Sequence, residues 1–195
     1  MPWEKQFDVN QTLEKAMQTF WDRGYEATSM QDLVDSTGIN RASLYATYGD
    51  KHELFLAALH RYEDAFLNRK LADLESRYGP REAIRQLFLS FTARVLERGP
   101  RSRSGCFMTN TAMELAPHDT DAEAIVVRTQ KGAEAFFARM IKKGQATGEI
   151  GAHVKPREAA SRLLALLIGL SVLCRSRPER ALLQGIVDDA VRCLE

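Results

Sequence analysis

The chain has 195 residues, of which 45% are apolar and 27% charged, so it is long enough for one globular domain or a small head fused to a larger body. Its 27 basic and 26 acidic residues give a formal net charge of +1, which excludes a uniformly basic surface of the kind that binds nucleic acid without specificity. Three cysteines, with no secretory signal pattern before them, predict reduced thiols and a cytoplasmic protein.

The first 80 residues are predicted to form four helices separated by glycines. No proline occurs between Pro2 and Pro80, so glycines are the main helix breakers in this stretch. Side chains that suit an N-cap precede the segments, namely Asp8, Ser29, Asn40 and Asp50. Helices are therefore predicted at 9–23, 30–37, 41–48 and 51–77.

The two short segments, 30–37 and 41–48, have the spacing of a helix-turn-helix. Gly38 follows the first one, where a helix can end in a left-handed residue at almost no cost to glycine. In the second segment Leu44 and Tyr48 are one turn apart and are predicted to point inward. The other faces then present donors, hydroxyls and small side chains, which suit a DNA major groove. These faces carry Arg41, Ala42, Ser43, Tyr45 and Thr47.

This pattern resembles the DNA-binding signature of TetR-type transcriptional repressors. The resemblance covers about residues 8 to 60 and rests on Thr28, Ser29, Gly38, Ile39, Leu44, Tyr45, Tyr48, Lys51, Leu54 and Phe55. A second segment, 105–119, is similar to a stretch shared by one branch of that family. The expected organisation is a helix-turn-helix DNA-binding domain at 6–60 and an effector-binding and dimerisation domain at 61–195.

If the chain binds DNA, residues of the N-terminal helix-turn-helix domain are expected to make the contacts. Arg41 matches a DNA-contacting position of the family and offers a fork of donors to guanine or phosphate. The predicted contact set is Thr28, Ser29, Arg41, Ala42, Ser43, Tyr45, Thr47 and Lys51. Residues 1 to 60 carry five basic and nine acidic side chains, so affinity for DNA of arbitrary sequence should be weak.

Prolines and glycines divide the rest of the chain into five more helices. Pro80, Pro156 and Pro178 suit first helical positions, and Gly148 suits a helix end. Helices are predicted from Pro80 to Gly99, over 104–116 and 120–147, and as a final pair after Pro156 and Pro178. No strand-like alternation appears, so the predicted fold is all-α with about nine helices.

Large apolar side chains recur at helical spacing in the body, and the resemblance implies that some of them line an inducer cavity. The predicted lining is Phe88, Phe91, Val95, Met108, Thr109, Thr111, Met113, Glu114, Phe136, Phe137 and Met140. Thr109, Thr111 and Glu114 would be the polar contacts. Core packing is the alternative interpretation for each apolar member.

The two helices predicted last carry extensive apolar faces. The longest apolar run, from Leu163 to Cys174, has 12 residues, whereas a bilayer-spanning helix needs about 20, so we predict a buried helix and no membrane. Both helices either close the monomer core or pack on their symmetry mates as a four-helix dimer interface. The second arrangement is predicted, through Leu163, Leu167, Leu170, Leu182, Leu183, Ile186, Val187, Ala190 and Leu194.

Cys106 lies close in sequence to Arg101 and Arg103 and near a predicted helix start, which favours a thiolate. A redox or electrophile sensor is therefore one alternative function, and an inert small side chain is the other interpretation. Glu114 and His118 are one turn apart and Asp119 follows, which permits a weak metal site, but no metal or cofactor is predicted. Motifs of zinc proteases, serine hydrolases and phosphate-binding loops are absent, and no enzymatic activity is predicted.

The sequence therefore predicts a homodimeric, DNA-binding transcriptional regulator. It would be a repressor that binds a palindromic operator in double-stranded DNA and is released by a small-molecule effector. DNA and effector would select different separations of the two heads, so that each opposes the other by linkage. The alternatives are the thiol sensor at Cys106 and a helical ligand-binding dimer without operator function, which the acidic head would favour.

Overall fold

The computed structural model describes residues 7–98 and 105–195, and the regular elements within them are helical. They are α1 (Val9–Arg23), α2 (Met30–Thr37), α3 (Arg41–Tyr48), α4 (Lys51–Asp64), a π-helical turn (Ala65–Lys70), α5 (Leu71–Arg77), α6 (Pro80–Arg98), α7 (Phe107–Glu114), a short 3-10 turn (Ala116–His118), α8 (Thr120–Thr147), α9 (Pro156–Ser176) and α10 (Arg180–Arg192). Since α4, the π-helical turn and α5 form one continuous rod, the described residues contain nine helices. The all-α prediction is confirmed.

The predicted helix starts and ends are set by local chemistry. The side chains of Asp8, Ser29, Asn40 and Asp50 each accept a hydrogen bond from a backbone N–H in the first turn of the helix that follows. Ser29 and Asp32 form a reciprocal capping box at the start of α2. Gly38 and Gly148 end α2 and α8 in the left-handed conformation, with φ of +75° and +80°.

The predicted uninterrupted helix at 51–77 is corrected by the π-helical turn. Within it the Leu71 N–H donates to the Phe66 carbonyl oxygen, five residues back, which widens the helix locally. Leu67 of the turn packs onto Gly132 of α8, where a Cβ would come within 2.6 Å of the Leu67 side chain. The wide turn thus occurs where the rod meets α8, a contact that local sequence does not reveal.

Two other boundaries differ from the prediction. The short helix expected at 104–116 is α7, Phe107–Glu114, followed by the 3-10 turn, and residue 104 lies outside the described residues. The last helix begins at Arg180, so Pro178 is not its first residue. Both differences are shifts of two or three residues at helix ends, where apolar periodicity gives the least information.

Buried side chains form two clusters that meet along the rod. The head cluster contains Phe20, Leu33 and Leu44, and it also takes in Phe107 from α7. The body cluster is formed by α6, α8, α9 and α10 around residues such as Phe88. Because the rod contributes to both clusters, the predicted boundary at residues 60 and 61 lies inside a helix, and head and body pack as one unit.

Candidate nucleic-acid interface and body cavity

The outward face of α3 is the surface that the sequence assigns to DNA. Leu44 is buried in the head, and the Tyr48 hydroxyl donates to the Val9 carbonyl oxygen at 2.9 Å, which ties α3 to α1. Asn40 caps the helix by accepting from the Ser43 N–H at 2.9 Å. Because this inner face is fixed, the opposite face is presented to solvent in a defined orientation.

That outward face carries the predicted DNA contacts in an accessible arrangement. Arg41, Ala42 and Tyr45 are exposed, and Ser43 and Thr47 are half-buried beside them. The guanidinium carbon of Arg41 lies 5.7 Å from the centre of the Tyr45 ring, within the range of a cation–π contact. Stacking restrains the guanidinium and leaves its donors free to bind bases or phosphate. The contacts with DNA themselves stay predictions.

The start of α2 offers fewer phosphate contacts than the sequence predicted. Thr28 is fully buried, and its hydroxyl donates to the Gly24 carbonyl oxygen at 2.6 Å, which contradicts a phosphate contact. A threonine before an N-cap can face inward or outward, and local sequence does not decide which. Ser29 is exposed, but its hydroxyl lies 2.6 Å from the Asp32 carboxylate and would have to exchange that partner for phosphate.

Lys51, at the start of α4, adds a second cation to this surface. Its Nζ lies 4.3 Å from the centre of the Tyr25 ring. Arg23 and Arg61 are each paired with a carboxylate, which neutralises them. Arg41 and Lys51 make no ion pair with the residues that the structure describes, so positive charge is concentrated where the recognition helix meets α4.

Glu114 lies at the junction of head and body, and its predicted place in a ligand cavity is wrong. Its Oε1 accepts from the Glu26 N–H at 2.9 Å. The carboxylate also lies against Gly24, where φ is +93° and a Cβ would come within 2.7 Å of Oε2. Glycine is therefore needed there both for backbone conformation and for close approach. The end of α7 thus holds the turn between α1 and α2.

A second link joins α4 to the start of α8. Nε2 of His52 lies 2.6 Å from Oδ2 of Asp119, which also caps α8 by accepting from the Ala122 N–H at 2.8 Å. Burial alone would raise the pKa of Asp119, but hydrogen bonds from Ala122 and His52 hold it below its ordinary value. Glu114 and Asp119 are both engaged in the junction, so the metal site considered from the sequence is not formed.

The body contains a small, mostly apolar cavity of about 40 Å³ that is partly open to solvent. Its walls are Phe66, Phe91, Cys106, Met108, Thr109, Thr129, Gln130, Ala133, Leu164, Leu167, Ile168 and Ser171. Phe91, Met108 and Thr109 belong to the predicted ligand set and are brought together here. This volume is sufficient for about one or two water molecules, so a larger ligand has to push the walls apart.

Most other members of the predicted ligand set lie elsewhere. Buried core positions away from the cavity walls are occupied by Phe88, Val95, Phe136, Phe137 and Met140. Thr111 is buried with its hydroxyl donating to the Phe107 carbonyl oxygen, and Met113 is 60% exposed. The predicted ligand-lining set is therefore corrected at the five core positions and at Thr111 and Met113. The sequence could not separate core residues from cavity walls, because both follow the same apolar periodicity.

Phe66 and Gln130 line the cavity, and Lys70 lies next to Phe91, one of its walls. The sequence interpretation missed all three. Lys70 ends the π-helical turn, with its Nζ 5.5 Å from the centre of the Phe91 ring. Burial lowers the pKa of Lys70. A signal was present in the sequence, because Tyr62, Phe66 and Lys70 follow one another at intervals of four. A lysine therefore stands where the apolar stripe of the long helix would continue.

Cys106 is a buried thiol at the N-cap of α7. Its sulfur lies 3.3 Å from the Tyr62 hydroxyl. Arg101 and Arg103, which were expected to favour the thiolate, lie outside the described residues. A sulfur that is buried and hydrogen-bonded in this way has poor access to oxidants, which favours the inert interpretation.

An apolar groove of about 560 Å³ runs along the outer side of α9 and α10. It is lined by Arg162, Ala165, Leu166, Gly169, Leu170, Leu173, Ile186 and Cys193. Six of the predicted dimer residues are at most 4% exposed within their own chain and do not line this groove: Leu163, Leu167, Leu183, Val187, Ala190 and Leu194. Leu170 is buried as well, although it lies in the floor of the groove. Leu182 and Ile186 are half-buried. The buried positions are corrections to the predicted interface set, and the apolar surface that the chain leaves uncovered is on the outer face, at residues such as Leu166 and Ile186.

α9 resembles a membrane-spanning helix because it is apolar both on the side that faces the core and on the side that lines the groove. Its length and hydropathy would suffice to cross a bilayer, and it is the one such helix among the described residues. However, it supplies Leu163 and Leu167 to the body core and packs against α8 along its length. It is therefore a core helix with a second apolar face.

The sequence matches two family models that follow the division into head and body. The model described as bacterial regulatory proteins, tetR family, matches residues 13–58. The model described as tetracyclin repressor-like, C-terminal domain, matches residues 80–188. The second match alone covers more than half of the chain.

Curated relatives and solved structures agree with these matches. The uncharacterized HTH-type transcriptional regulator YezE of Bacillus subtilis is 31% identical over 98% of this chain and 98% of its own length. The HTH-type transcriptional repressor ComR of Escherichia coli is 30% identical over 96% of this chain and 89% of its own length. A cysteine-substituted form of the TetR family transcriptional regulator CifR, complexed with 26-bp double-strand operator DNA, is 28% identical with a TM-score of 0.83, over 98% of each chain.

Proposed function

Because the chain belongs to the TetR family of bacterial regulatory proteins, we propose that it is a homodimeric repressor released from its operator by a small molecule. Membership of this family makes it a DNA-binding transcriptional regulator. One observation carries the proposal: the exposed face of α3 presents Arg41 and Tyr45 on a helix whose opposite face is fixed in the head. A helix held in this way can enter a major groove without rearrangement.

The proposed partner is a palindromic operator in double-stranded DNA. CifR, which is similar to this chain over nearly its whole length, is complexed with operator DNA. Two heads related by a two-fold axis read half-sites one helical turn, or a multiple of it, apart. The protein would then act in the cytoplasm, where a bacterial operator is accessible.

The proposed dimer forms through the outer groove of α9 and α10. Leu166, Leu173 and Ile186 contribute apolar surface that the chain itself does not cover. Two such helices from each subunit can pack as a four-helix bundle. Arg162 lies at the edge of the groove, where a charge can remain in solvent.

The effector is proposed to act through α7. Cys106, Met108 and Thr109, at the start of this helix, line the cavity, and Glu114, at its end, holds the turn between α1 and α2. A ligand that pushes the cavity wall outward would therefore disturb the contact with the head. Since DNA and ligand favour different positions of the same helix, each lowers the affinity for the other.

Two alternatives from the sequence are less well supported. A thiol sensor at Cys106 is not favoured, because the sulfur is buried and lies beside Tyr62. We expect peroxide to leave the operator affinity of the original protein unchanged, as it should that of Cys106→Ser. A ligand-binding dimer without operator function is the second alternative, and the acidic head is its support.

Selection of DNA fragments by the purified protein separates these possibilities. Genomic fragments of the source organism would be enriched on the immobilised dimer, and their affinity measured by fluorescence anisotropy. We expect enriched fragments to share a palindrome that is protected symmetrically in footprints. A folded dimer that enriches no fragment at low salt would support the ligand-binding alternative instead.

A further inference from the structure

The hydroxyl of Thr109 differs from the other buried hydroxyls of the described residues. Seven of these donate to a backbone carbonyl oxygen: Thr12, Thr28, Thr37, Thr92, Thr111, Thr129 and Ser171. Thr109 is 7% exposed and lines the body cavity, yet its hydroxyl has no hydrogen-bond partner among the residues that the structure describes. An unsatisfied buried hydroxyl is costly, so a partner from outside the chain is expected at this point.

Lys70 places a positive charge next to the same cavity, although it is not one of the lining residues. Its Nζ lies 5.5 Å from the centre of the Phe91 ring, and Phe91 is a cavity wall. Lys70 also interacts electrostatically with Cys106, a second wall residue. Within the described residues no carboxylate comes within ion-pair distance of this ammonium, although burial already disfavours its charged form. The cavity walls contain no aspartate or glutamate. Thr109 lies three residues after Cys106, so the two side chains are on the same side at the start of α7, and both line the cavity.

From these observations, and resting on the proposed function, we propose the chemical class of the effector. It is a compact amphipathic carboxylate, with an apolar body between Phe66 and Phe91 and an anionic end that accepts hydrogen bonds from Thr109 and Lys70. Such a ligand satisfies both polar groups at once and buries its apolar part among side chains of the same character.

Other ligand classes satisfy the site less completely. A neutral carbonyl compound would accept from Thr109 but would leave the half-buried ammonium of Lys70 without a counter-charge. A cationic ligand would be repelled by that ammonium at short range. A carboxylate is therefore the group that both neutralises the charge of Lys70 and accepts a hydrogen bond from Thr109.

Matched pairs of small molecules test this assignment on the full-length dimer. Suitable probes are benzoate with benzamide, phenylacetate with phenylacetamide, and hexanoate with hexanamide, because the members of each pair differ in charge and little in shape. Binding would be measured by isothermal titration calorimetry without DNA, and operator release separately by anisotropy. We expect at least one carboxylate to bind about tenfold or more tightly than its amide.

Four variants test which side chains cause the preference for a carboxylate over its amide. Lys70→Met keeps the length of the side chain and removes the charge, so the carboxylate and its amide should bind alike. Lys70→Arg should retain the preference, and Thr109→Val, which replaces the hydroxyl by a methyl group of similar size, should weaken both members. Lys131→Met, at an exposed lysine of α8, removes the same charge away from the cavity and should change nothing.

Two results would overturn the assignment. One is that no carboxylate of the panel binds at millimolar concentration, which would leave water as the partner of Thr109. The other is a carboxylate preference that survives in Lys70→Met. Operator binding without ligand is measured independently, so its loss would contradict the proposed function alone, while intact operator binding with no carboxylate preference would contradict only the ligand class.

Discussion

Arg41 is oriented before DNA arrives, because its guanidinium lies over the ring of Tyr45, one turn further along α3. Both side chains are exposed on a helix that is anchored on its other side by Leu44 and Tyr48. A restrained arginine loses less conformational freedom on binding a base edge than a freely rotating one. The pair therefore forms the centre of the predicted DNA surface.

We expect Arg41→Ala to weaken specific operator binding by about 1–3 kcal/mol for each head, because a direct base or phosphate contact is lost. Thermal unfolding and the oligomeric state should not change, since the side chain is exposed. Lys142→Ala, at an exposed lysine of α8, is the matched control for net charge. Unchanged operator affinity in Arg41→Ala would contradict the assignment of α3 as the recognition helix.

At the scale of elements, α2 and α8 both end at a left-handed glycine with open space around it. Gly38 has φ of +75° and Gly148 has φ of +80°, and nothing lies within 4 Å of a Cβ built at either position. The requirement for glycine is therefore conformational and not steric. It fixes the direction in which the chain leaves each helix.

Gly38→Ala should lower the free energy of unfolding by about 1–2 kcal/mol, the cost of a left-handed residue that has a Cβ. Operator affinity should fall as well, because Gly38 sets the angle between α2 and α3. Gly148→Ala should destabilise the protein by a similar amount without a comparable effect on DNA. Chemical denaturation combined with anisotropy compares the two, and equal losses of operator affinity would argue against a specific role for the turn.

The two faces of α9 should respond differently to a carboxylate. Leu166→Glu places the charge in the outer groove, so we expect monomers that remain folded. Leu167→Glu places it in the body core, where Leu167 is 4% exposed, and should cost about 3–5 kcal/mol of stability. Sedimentation and circular dichroism distinguish the outcomes. A folded, tight dimer of Leu166→Glu would show that the subunits meet elsewhere.

At the scale of the whole molecule, the distribution of charge disfavours nonspecific DNA binding. The first 60 residues are acidic overall, and Arg41 and Lys51 are the cations assigned to the DNA surface. Attraction to DNA must therefore come from the fit of α3 and from hydroxyl and backbone donors more than from net charge. Discrimination between operator and other DNA should be high for the same reason.

The salt dependence of operator binding follows from this distribution. Two cations on each head of a dimer neutralise about four phosphates, so the slope of log K against log salt should be about −4. Anisotropy titrations over a range of salt concentration measure it. A slope twice as steep would mean that further basic residues reach DNA, with Lys5, which lies outside the described residues, as the first to examine.

The sequence by itself determined the helical fold, the helix-turn-helix and the outward face of α3. These features depend on contacts between residues close in the chain, such as the cap at Asn40 and the turn at Gly38. Helix caps and turns depend on the identity of residues only a few positions apart, and for that reason these features could be predicted.

Only the tertiary structure decided which polar groups are engaged and which apolar faces turn inward. Glu114 meets Gly24 and Glu26 from a distant part of the chain, which no spacing rule anticipates. From Leu163 to Cys174, α9 is apolar on nearly every face, so periodicity could not separate the buried Leu167 from the groove-lining Leu166. Both outcomes depend on packing between elements far apart in sequence, and local propensity carries no information about such contacts.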